Sequence, residues 1–357
     1  MKKFWTFLTL MASVFALSSC GGNSNDDPED FTLSTDAVYI INEGNWGSAN
    51  ASLSSYNPAT KVVGNNLFRR SNSVPLGDLA QSSAVYGDDL YIVVNNSGVV
   101  FRVDRQSMKI QGKIDGLTSP RFIALVSDTK GYISNMYTNQ INIFNPSTCE
   151  IIGSITLPEE ASSDQMAVIG GKLYVAWWSY GKKIYEIDTK TDKVVGEIEV
   201  GLQPWSVVVD NAGKLWVLSD GGCYPENPAG YEAPKLMRIN PATKTIERTF
   251  TFTEGDYFSS RLALNGAADT LYYTVGGKVW RMAVSDNVLP SEPLLNEGVY
   301  YYSMAVDPVS GELYVGDAGD YVNSGSVSRY TAKGELVDSF SVGIAPGSIV
   351  FGTSKVE

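Results

Sequence analysis

A short pattern of apolar and aromatic residues occurs seven times along the chain. Each copy has an aliphatic residue or Gly, then an aromatic residue, then in most cases a β-former, and the aromatic residues are Tyr39, Tyr91, Tyr132, Tyr174, Trp216, Tyr272 and Tyr314. Successive aromatic residues lie 52, 41, 42, 42, 56 and 42 positions apart. A period of about 42 residues matches the length of one four-stranded propeller blade. The pattern therefore predicts a seven-bladed β-propeller.

The fifth repeat shows how four short strands fit into one period. Apolar or alternating runs occupy residues 205–209, 215–218, 236–239 and 245–250. Gly, Pro, Asn and Asp lie between the runs, and these residues tolerate or fix the backbone conformations of turns. No sustained helical period follows residue 30. We therefore expect an all-β domain built from four-stranded antiparallel blades.

The first and last repeats are incomplete in complementary ways. The first begins at Val38 without an apolar strand before it, and the chain ends in an apolar run at 346–351 without a strand after it. We expect residues 347–351 to pair beside 38–41, so that the C-terminal strand completes the first blade and closes the ring. Closure hides the edge strands that an open sheet exposes. It also makes residues 31–357 one domain.

The N-terminus has the features of a lipoprotein export signal. Two lysines precede an apolar run at 4–17 that is too short to span a bilayer. The following Leu-Ser-Ser-Cys ends at Cys20 and resembles a bacterial lipobox. We predict a signal peptide over 1–19, an acylated Cys20 and an acidic flexible tether over 20–30. The acidic stretch resembles the surface-export signal of Bacteroidota lipoproteins, which predicts an outer-membrane, lipid-anchored, cell-surface location. The alternative is an ordinary signal peptide with a chance cysteine.

Charge and composition exclude several classes of function. The formal net charge of −12 would repel nucleic acid and anionic membrane surfaces. The chain has no histidine, which excludes Ser-His-Asp and Cys-His catalysis, His-ligated zinc and lyases with a histidine base. Cys149 and Cys223 fall in turns at opposite ends of their blades, so we expect no disulfide between them. We predict no metal site, because the loop carboxylates lack the spacing of an EF-hand; they are Asp220, Asp256, Asp317 and Asp320.

The two faces of the predicted disc differ in composition. Because chain direction alternates along a blade, the loops after second strands and the loops between blades share one face. This face is rich in aromatic, amide and arginine residues, whereas the opposite face has short turns. At the starts of inner strands, Arg121, Gln165, Trp205 and Tyr302 are expected to line the mouth of the central channel. The other candidate ligand-binding residues are Trp46, Asn95, Asn135, Tyr137, Trp177, Trp178, Tyr224, Tyr257, Phe258, Arg261, Tyr301 and Tyr321.

The composition of this face favours binding over catalysis. Flat apolar rings with a few convergent polar groups are typical of a small-molecule site, and aromatic side chains give a large contact area with few rotors. For any single aromatic residue the alternative is packing between blades. A calcium-dependent hydrolase of the lactonase kind would need several carboxylates facing the channel, and no acid stands at the inner-strand starts. We expect no catalytic residue and no prosthetic group. A propeller that binds a glycan or a surface protein remains an alternative.

The repeat, with its Asn/Asp-Pro-x-Thr turns such as that at 240–243, resembles the YncE-like propellers over essentially all of residues 31–357. With the lipobox and the acidic tether, the chain is similar to the BtuG family of Bacteroidota surface lipoproteins. This resemblance implies capture of cobalamin, or a related corrinoid, as a transported ligand and its handover to a TonB-dependent outer-membrane transporter. Corrin edges carry amides that Asn, Gln, Tyr and Arg could bond. Without histidine in the protein, the cobalt would keep its own ligands.

Overall fold

The computed structural model describes residues 31–223, 226–253 and 261–353. The predicted signal peptide, Cys20 and the tether lie outside these ranges, as do Tyr224, Tyr257 and Phe258. The described chain forms seven sheets and, between the first and second, a six-residue helix. This helix of the described chain is not long and apolar enough to cross a bilayer.

Each sheet is an antiparallel blade whose first strand faces the central channel. From the channel outwards, blade 1 comprises β27 (Pro346–Phe351), β1 (Val38–Asn42), β2 (Ser52–Tyr56) and β3 (Val63–Gly64), and blade 2 comprises β4 (Ala80–Tyr86), β5 (Asp89–Val94), β6 (Val99–Asp104) and β7 (Ile110–Ile114). Blade 3 comprises β8 (Pro120–Ser127), β9 (Lys130–Asn135), β10 (Gln140–Asn145) and β11 (Glu150–Thr156), and blade 4 comprises β12 (Met166–Ile169), β13 (Lys172–Ala176), β14 (Lys183–Asp188) and β15 (Lys193–Glu199). Blade 5 comprises β16 (Pro204–Val209), β17 (Leu215–Ser219), β18 (Lys235–Asn240) and β19 (Thr245–Thr251), and blade 6 comprises β20 (Leu262–Leu264), β21 (Thr270–Val275) and β22 (Lys278–Ala283). Blade 7 comprises β23 (Tyr301–Val306), β24 (Leu313–Asp317), β25 (Ser326–Tyr330) and β26 (Leu336–Ser341).

The seven repeats of the sequence are the second strands of the seven blades, as predicted. The central aromatic side chain of each repeat is buried, with at most 3 % of its surface exposed. Three of these side chains also hydrogen-bond to the next blade. Tyr39 Oη donates to Arg105 O at 2.8 Å, Tyr91 Oη to Pro146 O at 3.1 Å, and Tyr132 Oη to the carboxylate of Asp192 at 2.6 Å. The repeated aromatic residue therefore packs and joins adjacent blades.

The C-terminal strand closes the ring, which confirms the predicted pairing. Strand β27 lies antiparallel to β1, with Val38 opposite Phe351 and Ile40 opposite Ile349. Each inner strand contacts the inner strand of the next blade around the full circle, and β27 contacts both β23 and β4. No blade in the described ranges is therefore left without two neighbours.

Two blades depart from the regular four-strand plan. In blade 1 the outer strand β3 is two residues long and is followed by helix α1 (Leu67–Asn72), which buries Leu67 and Phe68 in the core. In blade 6 the described chain forms three strands, and a single bridge between Val279 and Leu295 stands in place of a fourth. Two prolines in the segment before Leu295 lack the N–H that a strand ladder needs. The prediction of four strands per blade thus holds for the other six sheets.

The two cysteines of the described chain are both free thiols, as expected. Cys149 lies in the tight turn between β10 and β11, whereas Cys223 follows β17 on the opposite end of its blade.

Truncation after Gly343 should abolish most of the stability of the fold. It removes β27, which exposes the edge of β1 and strips the inner strand from blade 1. We expect the thermal transition, followed by circular dichroism, to shift far downward or to lose its cooperativity. A chain that ends at Thr353 keeps β27 and serves as the control. Equal melting temperatures for the two chains would contradict the closure.

Replacing Tyr132 by Phe should lower the free energy of unfolding by about 1.5 kcal/mol, because a hydrogen bond to the Asp192 carboxylate between blades 3 and 4 is lost. Tyr314→Phe is the matched control, since the Tyr314 hydroxyl is buried without a partner among the described residues. Its removal should leave stability unchanged or raise it. Chemical denaturation measures both values. A Tyr132→Phe protein as stable as the wild type would show that this bond does not join the blades.

Candidate functional site

A cavity at the centre of the ring opens toward the face predicted to bind ligand. Deep in the channel, residues of the inner strands surround a cavity of about 200 Å³. Next to it lies a second cavity of about 250 Å³, which shares Gln81 and Arg261 with the first. We call this second cavity the channel mouth, and its lining residues are Glu43, Gln81, Arg121, Trp178, Trp205, Arg261, Tyr300 and Tyr302.

Irregularities in the inner strands aim several of these side chains into the mouth. In blades 2, 3, 5, 7 and 1 the pairing of the inner strand with its neighbour shifts by a residue or more near the start of the inner strand. The residues left out of register are Gln81, Arg121 with Phe122, Trp205, Tyr302 and Gly347. A β-bulge leaves a residue unpaired and redirects its side chain. The irregularities in strand pairing of these five blades therefore all lie around the channel mouth.

Aromatic rings and guanidinium groups pack against one another in the mouth. The rings of Trp178 and Trp205 meet edge to face with centroids 4.7 Å apart. The Arg121 guanidinium lies 5.6 Å from the Trp178 ring, and that of Arg261 lies 5.7 Å from the Trp205 ring. These distances allow favourable cation–π attraction. The mouth thus presents two tryptophans whose faces are already polarised by cations.

Fixed polar partners hold the two arginines in place. Arg121 donates from Nε to Asp164 at 2.7 Å and from Nη1 to Gln81 at 2.5 Å, and both Arg121 and Asp164 are buried. Arg261 Nε donates to the backbone oxygen of Tyr302 at 3.2 Å. Gln81 and Asp164 were not among the residues predicted from the sequence. Gln81 occupies the same bulged position in blade 2 that Arg121 occupies in blade 3, so alignment of the inner-strand starts could have found it.

The inner-strand starts bring no acid to the mouth, but the loop after the second strand of blade 1 brings one, which was not predicted. Glu43 lies in the loop after β1, is 8 % exposed, and accepts a hydrogen bond from Tyr302 Oη at 2.5 Å. Its carboxylate fills the space beside Gly347, where a Cβ would lie 2.2 Å from Glu43 Oε1. Burial raises the pKa of Glu43, although the Tyr302 hydrogen bond and the charges of Arg261 and Arg121 oppose this shift. The Glu43 side chain, from the loop after β1, thus occupies the space that a side chain at position 347 would fill.

A buried carboxylate fixes the orientation of Trp178. Asp220 has no exposed surface and accepts from Trp178 Nε1 at 3.2 Å and from Gln203 Nε2 at 3.1 Å. The Cys223 thiol also donates to Asp220, at 3.2 Å. Burial raises the pKa of Asp220, and burial together with this carboxylate raises the pKa of Cys223. Cys223 is therefore a poor nucleophile, and its loop supports Trp178.

Further aromatic residues form a rim outside the mouth. The Tyr321 ring meets the Tyr302 ring at 5.4 Å and the Tyr300 ring at 6.0 Å, and Tyr321 is 40 % exposed. Asn45 donates to the backbone oxygen of Tyr321, which places the loop of the exposed Trp46 beside it. The four exposed aromatic residues of the described chain all follow second strands and so share one face; they are Trp46, Tyr137, Tyr180 and Tyr321.

Several residues predicted for the site have structural roles instead. Tyr301 is 1 % exposed, and its hydroxyl accepts from the Glu297 backbone N–H. Trp177 stacks on Tyr185 within blade 4, with ring centroids 6.1 Å apart. Gln165 lies below the mouth, in the deeper cavity, where its Oε1 accepts from the Val207 N–H at 2.6 Å. Trp177 and Tyr301 therefore pack within the protein, whereas Gln165 lines the deeper cavity.

The two predicted asparagines also support the backbone. Asn95 Nδ2 donates to Ser119 Oγ and Pro120 O, each at 2.9 Å, and so ties blade 2 to the start of β8. Asn135 is fully buried and donates to Gln140 O at 2.7 Å. Tyr137 lies on the expected face but does not line the mouth. Across the three described ranges, no three carboxylate or thiol groups are close enough to hold a metal ion.

Comparison with solved structures relates the fold to bacterial propellers. A quinonprotein alcohol dehydrogenase-like protein from Bacteroides thetaiotaomicron VPI-5482 is 14 % identical, with a TM-score of 0.68 over 90 % of this chain and 79 % of that chain. A functionally unknown protein from Desulfotomaculum acetoxidans is 12 % identical, with a TM-score of 0.68 over 88 % of this chain and 98 % of that chain. Virginiamycin B lyase from Staphylococcus aureus is 14 % identical, with a TM-score of 0.58 over 73 % of this chain and 83 % of that chain. At these identities the likeness is to the fold alone.

A protein-family model covers most of the propeller. No curated protein matches the chain. The family model that matches residues 36–346 is described as a domain of unknown function, and it spans the ring from blade 1 to the start of the closing strand. The chain therefore belongs to the DUF5074 family.

Proposed function

We propose that this protein binds a small organic ligand over the channel mouth without transforming it, and that the ligand is cobalamin or a related corrinoid. The observation that supports binding is the convergence of two tryptophans, two tyrosines and two arginines on one cavity at the channel axis. Partly buried aromatic and arginine side chains are the residues that most often dominate binding energy. Their fixed hydrogen bonds leave little side-chain entropy to be lost when a ligand arrives.

The dimensions of the site indicate how a corrinoid would lie. The mouth encloses about 250 Å³, less than the roughly 300–1,000 Å³ of a site that engulfs a drug-sized ligand. A corrinoid would therefore cover the mouth and place one edge group inside it. The corrin face would rest on the rim, where Tyr321 and Trp46 offer apolar surface beside Tyr300 of the mouth. The amides of the corrin edge could bond to the polar groups below.

We infer binding without catalysis because the described residues of the mouth hold no poised acid–base pair. The one carboxylate among these residues, Glu43, is hydrogen-bonded to Tyr302, whose own hydroxyl pKa is raised by burial and by Glu43. Arg121 and Arg261 are anchored to Asp164 and to the Tyr302 backbone. Such groups hold and orient a ligand, and the chain has no histidine to move a proton near neutral pH.

The N-terminal sequence supports a location where capture would serve uptake. We propose that Cys20 carries a lipid anchor in the outer membrane and that the acidic tether holds the propeller at the cell surface. Handover of the ligand to a TonB-dependent transporter would follow. This part of the proposal rests on the lipobox and on the resemblance to surface lipoproteins.

Trp205→Ala should weaken binding of cyanocobalamin about thirtyfold, or by about 2 kcal/mol, because one aromatic anchor of the mouth is lost. Its melting temperature should change little, since the ring lies at the cavity wall. Isothermal titration calorimetry and thermal unfolding measure the two effects. Trp280→Ala is the control with the opposite outcome: Trp280 stacks on Tyr273 within blade 6, so stability should fall and affinity should not. If the wild-type protein gives no heat of binding, the proposal that its ligand is a corrinoid is overturned, and a glycan or a protein partner is favoured.

Cys20→Ala should release the protein from the membrane fraction, because the residue that would carry the lipid is gone. Cell fractionation followed by immunoblotting measures the distribution. Protease added to intact cells tests surface display in the same strain, and wild-type protein should be degraded. Retention of the Cys20→Ala protein in the membrane pellet would refute the anchor, and full protection from protease would refute display.

A further inference from the structure

The polar groups of the mouth are only partly used by contacts within the protein. Glu43 accepts one hydrogen bond, through Oε2 from Tyr302. Its other oxygen lies beside Gly347, and no hydrogen-bond donor within the described ranges reaches it. An acceptor in a cavity wall with an open lone pair favours a ligand that brings an N–H or O–H group.

Donor groups are also open in the same cavity. Arg261 uses Nε for the Tyr302 backbone, while no acceptor in the described part of the chain bonds to its two terminal nitrogens. Its guanidinium plane is held near the Trp205 ring. The mouth therefore offers N–H donors and a carboxylate acceptor to whatever enters it.

Among the described residues, the mouth and the groups directly behind it carry no net positive charge. Two guanidinium groups, Arg121 and Arg261, face two carboxylates, Glu43 and Asp164. An anionic ligand group would therefore find no excess positive charge to attract it. It would also lie close to the Glu43 carboxylate, and two like charges repel each other strongly in a poorly solvated cavity. A neutral group avoids this repulsion.

We propose that the channel mouth is a carboxamide site, in which Glu43 Oε1 accepts from the amide N–H and Arg261 donates to the amide oxygen. A primary carboxamide is flat, neutral, and both donor and acceptor, so it matches the open groups and fits between the aromatic rings. This inference deepens the proposed function, on which it rests, by naming the ligand group that enters the mouth. Glu43 is then the specificity-determining residue, because it admits a carboxamide and rejects a carboxylate.

Gly347 permits this arrangement. A Cβ at this position would lie 2.2 Å from Glu43 Oε1, closer than any side-chain contact can be, so Gly347→Ala must displace the carboxylate. The variant changes no charge and no group that would touch the ligand. It therefore moves Glu43 without removing it.

The experiment compares two probes of one shape, benzamide and benzoate, on the purified full-length protein. Ligand-detected NMR titration should give a dissociation constant in roughly the millimolar range for benzamide, as expected for so small a molecule, and binding at least tenfold weaker for benzoate. Glu43→Gln removes the negative charge and should reduce this preference about tenfold or more. Gly347→Ala should weaken benzamide binding. Glu199→Gln makes the same charge change at an exposed position of β15 and should leave the preference unchanged.

Each outcome bears on the inference separately from the corrinoid proposal. Equal affinity for benzamide and benzoate, a preference unaltered in Glu43→Gln, or no binding of benzamide would overturn the carboxamide site. Selective binding of benzamide in a protein that ignores cyanocobalamin would support the site and reject the corrinoid. If Glu43→Gln does not fold, judged by its thermal transition, Gly347→Ala alone decides, and unchanged benzamide affinity in that variant would overturn the inference.

Discussion

The propeller depends on one buried aromatic residue in the second strand of every blade. Each of these rings is enclosed by its own sheet and its neighbours, and a buried aromatic side chain contributes a large apolar area to a core. A single blade leaves the hydrophobic surface of its sheet exposed, so it is not stable without neighbouring blades. The ring must therefore close before the last aromatic residue is fully buried. The hydroxyls of Tyr39, Tyr91 and Tyr132 add directed bonds to the next blade. Packing of this kind makes a rigid frame on which a binding site can be held.

Regular pairing builds the frame, and local breaks in that pairing build the mouth. Trp205 and Tyr302 sit where β16 and β23 slip out of register with their partners, so their side chains reach the channel axis rather than the space between blades. At the equivalent place in blade 1, Gly347 leaves a gap that Glu43 fills from another loop. Four residues that line the channel mouth therefore stand at positions where the regular strand pairing is broken; they are Gln81, Arg121, Trp205 and Tyr302.

This division explains how much could be predicted from the sequence. The fold, the closing strand and the aromatic face follow from a period that each blade must repeat to bury its core. Trp178, Trp205 and Tyr302 lie in the channel mouth, on the predicted face: Trp178 follows the second strand β13, and Trp205 and Tyr302 stand at inner-strand starts. Trp177 and Tyr301 lie outside the mouth, since the direction in which a loop or bulge turns a side chain depends on its neighbours in space. Glu43 could not be predicted, because its place depends on a gap at Gly347, more than 300 residues away in the chain.

The most direct test of the account is a crystal structure of the protein grown with cyanocobalamin. The account predicts a corrinoid lying over the channel mouth, with Trp178, Trp205 and the rim residue Tyr321 in contact and one of its amide groups directed at Glu43. A corrinoid bound on the opposite face or at the outer edge of a blade would contradict it, as would a mouth left unchanged at saturating ligand.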